Sequence, residues 1–168
     1  VVSKTKVINY QFPYPSDNGA IIVLKTADNQ IPTFIKKSES GDEENIAVKD
    51  IGYDEYFSYK NGRIIYTALQ PDVRWGNRDY SIIKVLDIKS KSLKTITAKS
   101  RYFSPDISND GNKMVAVRMN LYTPSALVLL DVNGNEQQQF IADSSYIFSH
   151  PKFLSNEEEI LVAVRKTN

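Results

Sequence analysis

The sequence predicts an all-β fold, a β-propeller segment of about three complete four-stranded antiparallel blades plus part of a fourth. Three observations carry that expectation. A turn-then-strand unit recurs along the chain, the runs after each turn are rich in β-branched and aromatic strand formers, and no segment shows a helical period.

The recurring unit is most explicit in SPDISNDGNKMVAVRM, residues 104–119. Ser108 can bond the turn backbone, Asn109 and Asp110 tolerate turn geometry, and Gly111 supplies the positive φ that closes a short hairpin. The same order appears where Asp17-Asn18-Gly19 precedes AIIVLKT, Asn61-Gly62 precedes RIIYTAL, and Asn156-Glu157-Glu158 precedes EILVAVR. Gly62 stands 43 residues beyond Gly19, Gly111 stands 49 beyond Gly62, and Glu157 stands 46 beyond Gly111. An aromatic stretch leads into each turn: YQFPYPS, EYFSYK, RYFSPDIS and YIFSHPKF.

Each copy then continues in the same way. The first passes through IPTFIKK, with Pro32, and a long polar turn SESGDEEN to IAVKDI; Glu43-Glu44 and 157–159 read as solvated turn residues. The second has the loop 70–80, then SIIKVLDIK, a turn at Ser90-Lys91 and SLKTITA. The third crosses the loop 120–124 into SALVLLDV, turns at Asn133-Gly134 and leaves as EQQQFIA. Four short strands per copy at this period is the requirement of a propeller blade. The expected blades are 10–52, 53–100, 101–145 and a partial 146–168 within a single segment 1–168, with residues 1–9 as a possible outer strand of a neighbouring blade.

A chain of 168 residues with 41% apolar side chains is long enough for one sizeable core. Its 21 basic and 20 acidic residues leave a net charge of +1, so no single-signed field is available for a phosphate backbone, and nucleic acid is not an expected partner. No Cys is present, which removes disulfides and thiolate metal sites. The longest apolar runs, such as 126–130, are five residues, where a membrane helix needs about 20, so no membrane insertion is expected. The chain starts at Val1 without Met or a signal segment, as an excised piece of a longer protein would.

The residues at 105–117 also carry a family resemblance. Pro105, the run Ser108-Asn109-Asp110-Gly111-Asn112-Lys113 and the apolar strand after it resemble the TolB-like, WD40-like propeller repeat, and LLDVNGN and VLDIKSK resemble its later strand. Asn109 stands where that repeat usually has Pro, and Ile107 at its aromatic position. RWGNRDYS followed by RYFSPDIS is similar to propeller segments of large bacterial secreted proteins, some of which also carry peptidase-like domains. The resemblance implies recognition or scaffolding in a periplasmic or extracellular setting.

Alternation of strand direction within a blade sorts the loops onto two faces. Loops between second and third strands share one face with the connectors between blades, and the tight hairpins lie on the other. On the first face stand Arg74, Trp75, Arg78, Asp79 and Tyr80 from one long loop, Asn120 and Tyr122 from the next, and the connectors near Arg101 and Tyr146. Arg, Trp and Tyr dominate binding hot spots because they join contact area to directed hydrogen bonds. The structural alternative is that Trp75 packs on a neighbouring blade and Arg78 pairs with Asp79 or another carboxylate to brace the loop.

Catalytic and cofactor motifs are missing. His150 is the only histidine, so neither a His-rich zinc shell nor a supported general base is available, and a structural or surface placement is expected. In Asp131-Val132-Asn133-Gly134-Asn135 the Gly falls at the fourth position and Ala142 at the twelfth, which marks a hairpin and not a calcium loop. The Ser108–Gly111 turn likewise lacks the spacing and Trp of a sialidase Asp-box. No nucleophile elbow or Gly-rich phosphate loop is present, and no cofactor is expected. The leading expectation is a non-catalytic module binding a protein, a peptide, a small ligand or other domains of its own parent chain. Two rivals stand beside it: an accessory propeller that gates or positions substrate for a hydrolase or peptidase domain elsewhere in that chain, and carbohydrate hydrolysis by channel carboxylates such as Asp106, or Asp54 and Glu55.

Overall fold

The structure is a computed structural model that describes residues 7–76, 78–120 and 123–167. Its strands form three four-stranded antiparallel sheets and one two-stranded sheet, each an up-and-down meander in which chain neighbours are sheet neighbours. This is the blade architecture read from the repeat. The chain divides into two compact units, Val1–Ile51 and Gly52–Asn168.

The first unit holds one sheet: β1 (Ile8–Pro15), β2 (Ile21–Ala27), β3 (Gln30–Lys37) and β4 (Glu43–Val48). Its buried side chains are those of the apolar runs, among them Ile22, Val23, Leu24, Phe34 and Ile35. Each such side chain contributes about 1.5–3 kcal/mol on removal from water. Two expectations are corrected here. Ile8 and Asn9 are not an outer strand of another blade, because the β1–β2 ladder extends to them, pairing Ile8 with Ala27 and Asn9 with Thr26; residues 1–6 lie outside the described residues. Nor does Glu43 sit in a solvated turn. It opens β4 opposite Lys37, and its carboxylate accepts hydrogen bonds at 2.5 Å from both the Tyr10 hydroxyl and Lys25 Nζ. Those partners hold the Glu43 carboxyl below its usual range.

The second unit contains β5 (Phe57–Lys60), β6 (Arg63–Pro71), β7 (Asp79–Asp87) and β8 (Ser92–Thr95) in one sheet; β9 (Tyr102–Ile107), β10 (Lys113–Asn120), β11 (Thr123–Asp131) and β12 (Glu136–Ile141) in the next; and the pair β13 (Tyr146–Phe153) and β14 (Ile160–Lys166). The middle sheet is covered on both faces, which is why its strands read as continuous apolar runs. Met114 and Ala116 of β10, with Ala126, Val128 and Leu130 of β11, pack with Ile65 and Ile83 of the preceding sheet. The alternate positions Val115 and Leu127 pack with Phe153, and Phe148 and Val162 close around them.

Three of the four opening strands contain a proline, and each handles it in the same way. Phe12, Ser104 and His150 precede Pro13, Pro105 and Pro151, and take φ of 52°, 48° and 50°. The pairing register slips at each of these places. A proline cannot donate to a ladder, so it is tolerated on an edge strand at a bulge. β5 has no proline and pairs with β6 without a slip. His150 is therefore a bulge residue, with its ring edge-on to Tyr56 at a centroid distance of 5.0 Å.

The turn at 108–113 has the chemistry its sequence implies. The Ser108 hydroxyl oxygen accepts Lys113 N–H at 2.9 Å, the Asp110 carboxylate accepts Asn112 N–H at 2.9 Å, and Gly111 takes φ of 76°. In the fourth copy Glu157 adopts the same positive φ, 58°, in place of glycine. The tips also join one another: Asn61 Nδ2 donates to Asn109 O at 3.1 Å, and Asn109 N–H donates to the Glu157 carboxylate.

Candidate functional site

The loop between β6 and β7 is fixed by one side chain that sequence reading passed over. Asp72 follows Pro71, a pair that favours turns. Its own N–H donates to Arg78 O at 2.9 Å and closes the loop. One carboxylate oxygen accepts Arg74 N–H at 2.8 Å and the other accepts the Tyr80 hydroxyl at 2.9 Å. The Arg74 N–H first, and then the Tyr80 hydroxyl, hold the Asp72 carboxyl below its usual range, and the same bond pushes the Tyr80 phenol up.

This lock sets where the expected site residues point. Trp75 is 66% exposed. The Arg78 guanidinium lies over the Tyr80 ring, 5.3 Å from its centroid, and makes no ion pair with Asp79 among the described residues. Asp79 begins β7 opposite Pro71. Arg74, Trp75 and Tyr80 line a shallow cleft of about 340 Å³ together with Lys99. Tyr122 lies outside the described residues.

Tyr80 also borders a second cleft, of about 470 Å³, on the side of the 96–101 connector. Arg78, Lys99, Arg101 and Arg118 stand around it, with Tyr102 and Glu136 at one end. The connector is pinned to β7: Ser81 N–H donates to Ser100 O at 2.9 Å, the Ser81 hydroxyl to Tyr102 O at 2.6 Å, and Ile83 N–H to Thr97 Oγ1 at 2.9 Å. Lys99 N–H is taken by the Gln70 side-chain oxygen at 2.9 Å. Glu136 accepts the Tyr102 hydroxyl at 2.5 Å and both hydrogen bonds of Arg118 Nη1, at 2.6 and 2.7 Å. Burial acts to raise the Glu136 carboxyl, but the bonds from Tyr102 and Arg118 outweigh it and leave the carboxyl below its usual range. Burial, followed by the bond to Glu136, drives the Tyr102 phenol well above its ordinary 10.0.

Sequence reading thus placed Arg74, Trp75, Arg78 and Tyr80 on one surface, and missed Lys99, Arg118 and Glu136. Arg118 and Glu136 are 18 residues apart and meet only through strand pairing, so no spacing rule announces them. The other carboxylates singled out in the sequence lie away from these clefts. Asp106 is completely buried and so offers no surface to a sugar. The Asp54 carboxylate accepts Tyr56 N–H at 3.2 Å, and Glu55 is exposed beside it. Asp131 accepts Asn133 and Asn135 N–H at 2.9 Å, as a hairpin turn does. No group of three or more metal-ligating side chains occurs among the described residues, and none of the described helices is long and apolar enough to cross a membrane.

No family model and no curated protein matches the chain in sequence. Solved structures do match in shape. A provisionally assigned TolB from Agrobacterium tumefaciens aligns with a TM-score of 0.59 at 17% identity, over 82% of this chain and 47% of that one. TolB from Acinetobacter baumannii aligns with a TM-score of 0.57 at 17% identity, over 92% and 40%. The fold is that of a TolB-like β-propeller. The β-propeller domain of the Trilobed protease from Pyrococcus furiosus aligns with a TM-score of 0.54 at 15% identity, over 92% of this chain and 48% of that domain. The chain spans less than half the length of each of these structures. Identities this low establish the TolB-like propeller fold and leave the role of the face described above to its own chemistry.

Proposed function

We propose that this TolB-like propeller segment is a non-catalytic recognition or scaffolding module of a secreted or periplasmic bacterial protein, and that it binds a protein or small-ligand partner through the face built from loop 72–78 and connector 96–101. The observation that carries the reading is Trp75, exposed on a loop whose backbone Asp72 has already ordered. A large aromatic held in water by a fixed loop gains contact area on binding with little further loss of conformational freedom. Arg74, Arg78 and Tyr80 add directed donors around it. The resemblance to TolB supports a recognition role and an extracytoplasmic setting.

The test is the double variant Trp75→Ala with Arg78→Ala, assayed against a partner recovered by pull-down with the intact parent protein. Binding falls by at least about tenfold while the thermal midpoint stays within a few degrees, since exposed positions away from buried networks change stability by about 0.5 kcal/mol. Unchanged binding, or loss of the fold, overturns the assignment.

A second reading, an accessory propeller beside a hydrolase or peptidase domain of the same parent chain, is favoured by the likeness to the Trilobed protease propeller. A catalytic domain adjoining these repeats in the parent polypeptide supports it; further repeats alone oppose it.

A further inference from the structure

The 470 Å³ cleft beside Tyr80 is lined by an excess of cations. Four cations, Arg78, Lys99, Arg101 and Arg118, border it against one carboxylate, Glu136, in a chain whose net charge is +1. Arg118 is already committed to Glu136 through two hydrogen bonds, and Tyr102 adds a third. Glu136 therefore repels an incoming anion weakly. The other three cations have no carboxylate within ion-pair distance among the described residues. They come from different elements: Arg78 from the end of loop 72–78, and Lys99 and Arg101 from the connector that Ser81, Thr97 and Ser100 pin to β7.

Unpaired cations gathered on a rigid concave surface repel one another, and the arrangement is relieved when an anion neutralises them. Arg101 is half-buried, which reduces its access to water and strengthens its pull on an anion in the cleft. Asp72 of the adjacent loop is held by Arg74 N–H and the Tyr80 hydroxyl and does not line this cleft. The volume lies in the range of small-molecule sites, about 300–1,000 Å³.

Resting on the recognition reading above, we propose that this cleft binds a small organic anion carrying two or more oxyanion groups, a polycarboxylate or a phosphate ester, with Arg78, Lys99 and Arg101 as its direct donors. Arg78 and Arg101 offer guanidinium forks suited to paired oxygens, and Lys99 supplies a mobile point charge at the mouth. The Arg118–Glu136 pair, joined through Arg118 Nη1, completes the lining of the cleft.

Calorimetric titration of the chain at low ionic strength with citrate, with pyrophosphate and with glucose tests the assignment. Citrate or pyrophosphate binds, glucose does not, and which of the two binds more tightly identifies the source of the oxyanion. The variant Lys99→Gln with Arg101→Gln, which leaves Trp75 and Arg78 in place, weakens anion binding by at least about tenfold, and added salt weakens it in the parent chain. Absence of binding by both anions, equal binding by the variant, or binding of a Glu-rich peptide with neither small anion overturns the proposal. Trp75 does not line this cleft, so Trp75→Ala should weaken capture of a protein partner and leave anion binding unchanged, which separates loss of this inference from loss of the recognition reading. Circular dichroism verifies that the variant is folded; if it is not, Lys99→Gln alone, at an exposed position, must still reduce anion affinity.

Discussion

The Ser58 hydroxyl donates to the Asp106 carboxylate across 48 residues of chain, and both groups are fully buried. The second Asp106 oxygen accepts Phe153 N–H at 2.8 Å and lies 3.2 Å from Lys60 Nζ, while Lys152 Nζ stands 3.6 Å from the first. One carboxylate therefore joins the opening strands of three successive sheets, β5, β9 and β13. A buried charge is tolerated when hydrogen bonds and counter-charges satisfy it together, and becomes costly when one partner is removed.

Replacing Asp106 by Ala leaves Lys60 and Lys152 facing each other without their common counter-ion and leaves Phe153 N–H unpaired. The expected loss is about 3–5 kcal/mol, read as a lowered urea midpoint. A loss no larger than that of an exposed control substitution would show that the three sheets do not depend on this carboxylate.

Acid should loosen loop 72–78. The Arg74 N–H and the Tyr80 hydroxyl hold the Asp72 carboxyl below its ordinary 3.8, so the unfolded loop takes up the proton more readily than the folded one. The stabilisation is complete above 3.8 and is lost as pH falls through the lowered folded value. Trp75 is the only tryptophan and sits on this loop, so its fluorescence reports the transition directly. Asp72→Asn should abolish the acid step and show the loosened signal already at neutral pH; an unaltered titration in that variant would remove Asp72 from the role.

The hairpin glycines should differ in tolerance although their backbones are alike. Gly62 has φ of 75° and open space where a Cβ would stand, so Gly62→Ala costs only the left-handed strain, about 1–2 kcal/mol. Gly134 has φ of 84°, and its Cβ would stand 2.5 Å from the Ile96 carbonyl oxygen, a backbone atom of the connector that follows β8. Gly134→Ala should cost about 1–3 kcal/mol beyond that strain, because the hairpin and the connector must move apart. Equal urea midpoints for the two variants would refute the close approach.

The hairpin tips show why so much of the fold was legible. Asn61, Gly62, Ser108, Gly111 and Gly134 act within a few residues of chain, through positive φ or a side chain bonding its own turn, and such information survives in a linear string. The long apolar runs of β10 and β11 likewise announce a sheet covered on both faces. Glu43 misled because charge beside Gly and Ser looks like a turn until strand pairing sets it beside Lys25 and Tyr10. Asp72 was legible in principle, since an aspartate after proline commonly organises the loop it opens.

From its order of residues alone the chain determined the blade, the period, the turns and the loop that carries Arg74, Trp75, Arg78 and Tyr80, because each of these depends on neighbours in sequence. Only the tertiary structure decided that Asp106 holds three strands together, that Glu136 neutralises Arg118, and that Lys99 and Arg101 face the same cleft as Arg78. Electrostatic interaction depends on distance in space, and residues 18 to 94 positions apart acquire that distance only when the strands pair and the sheets pack.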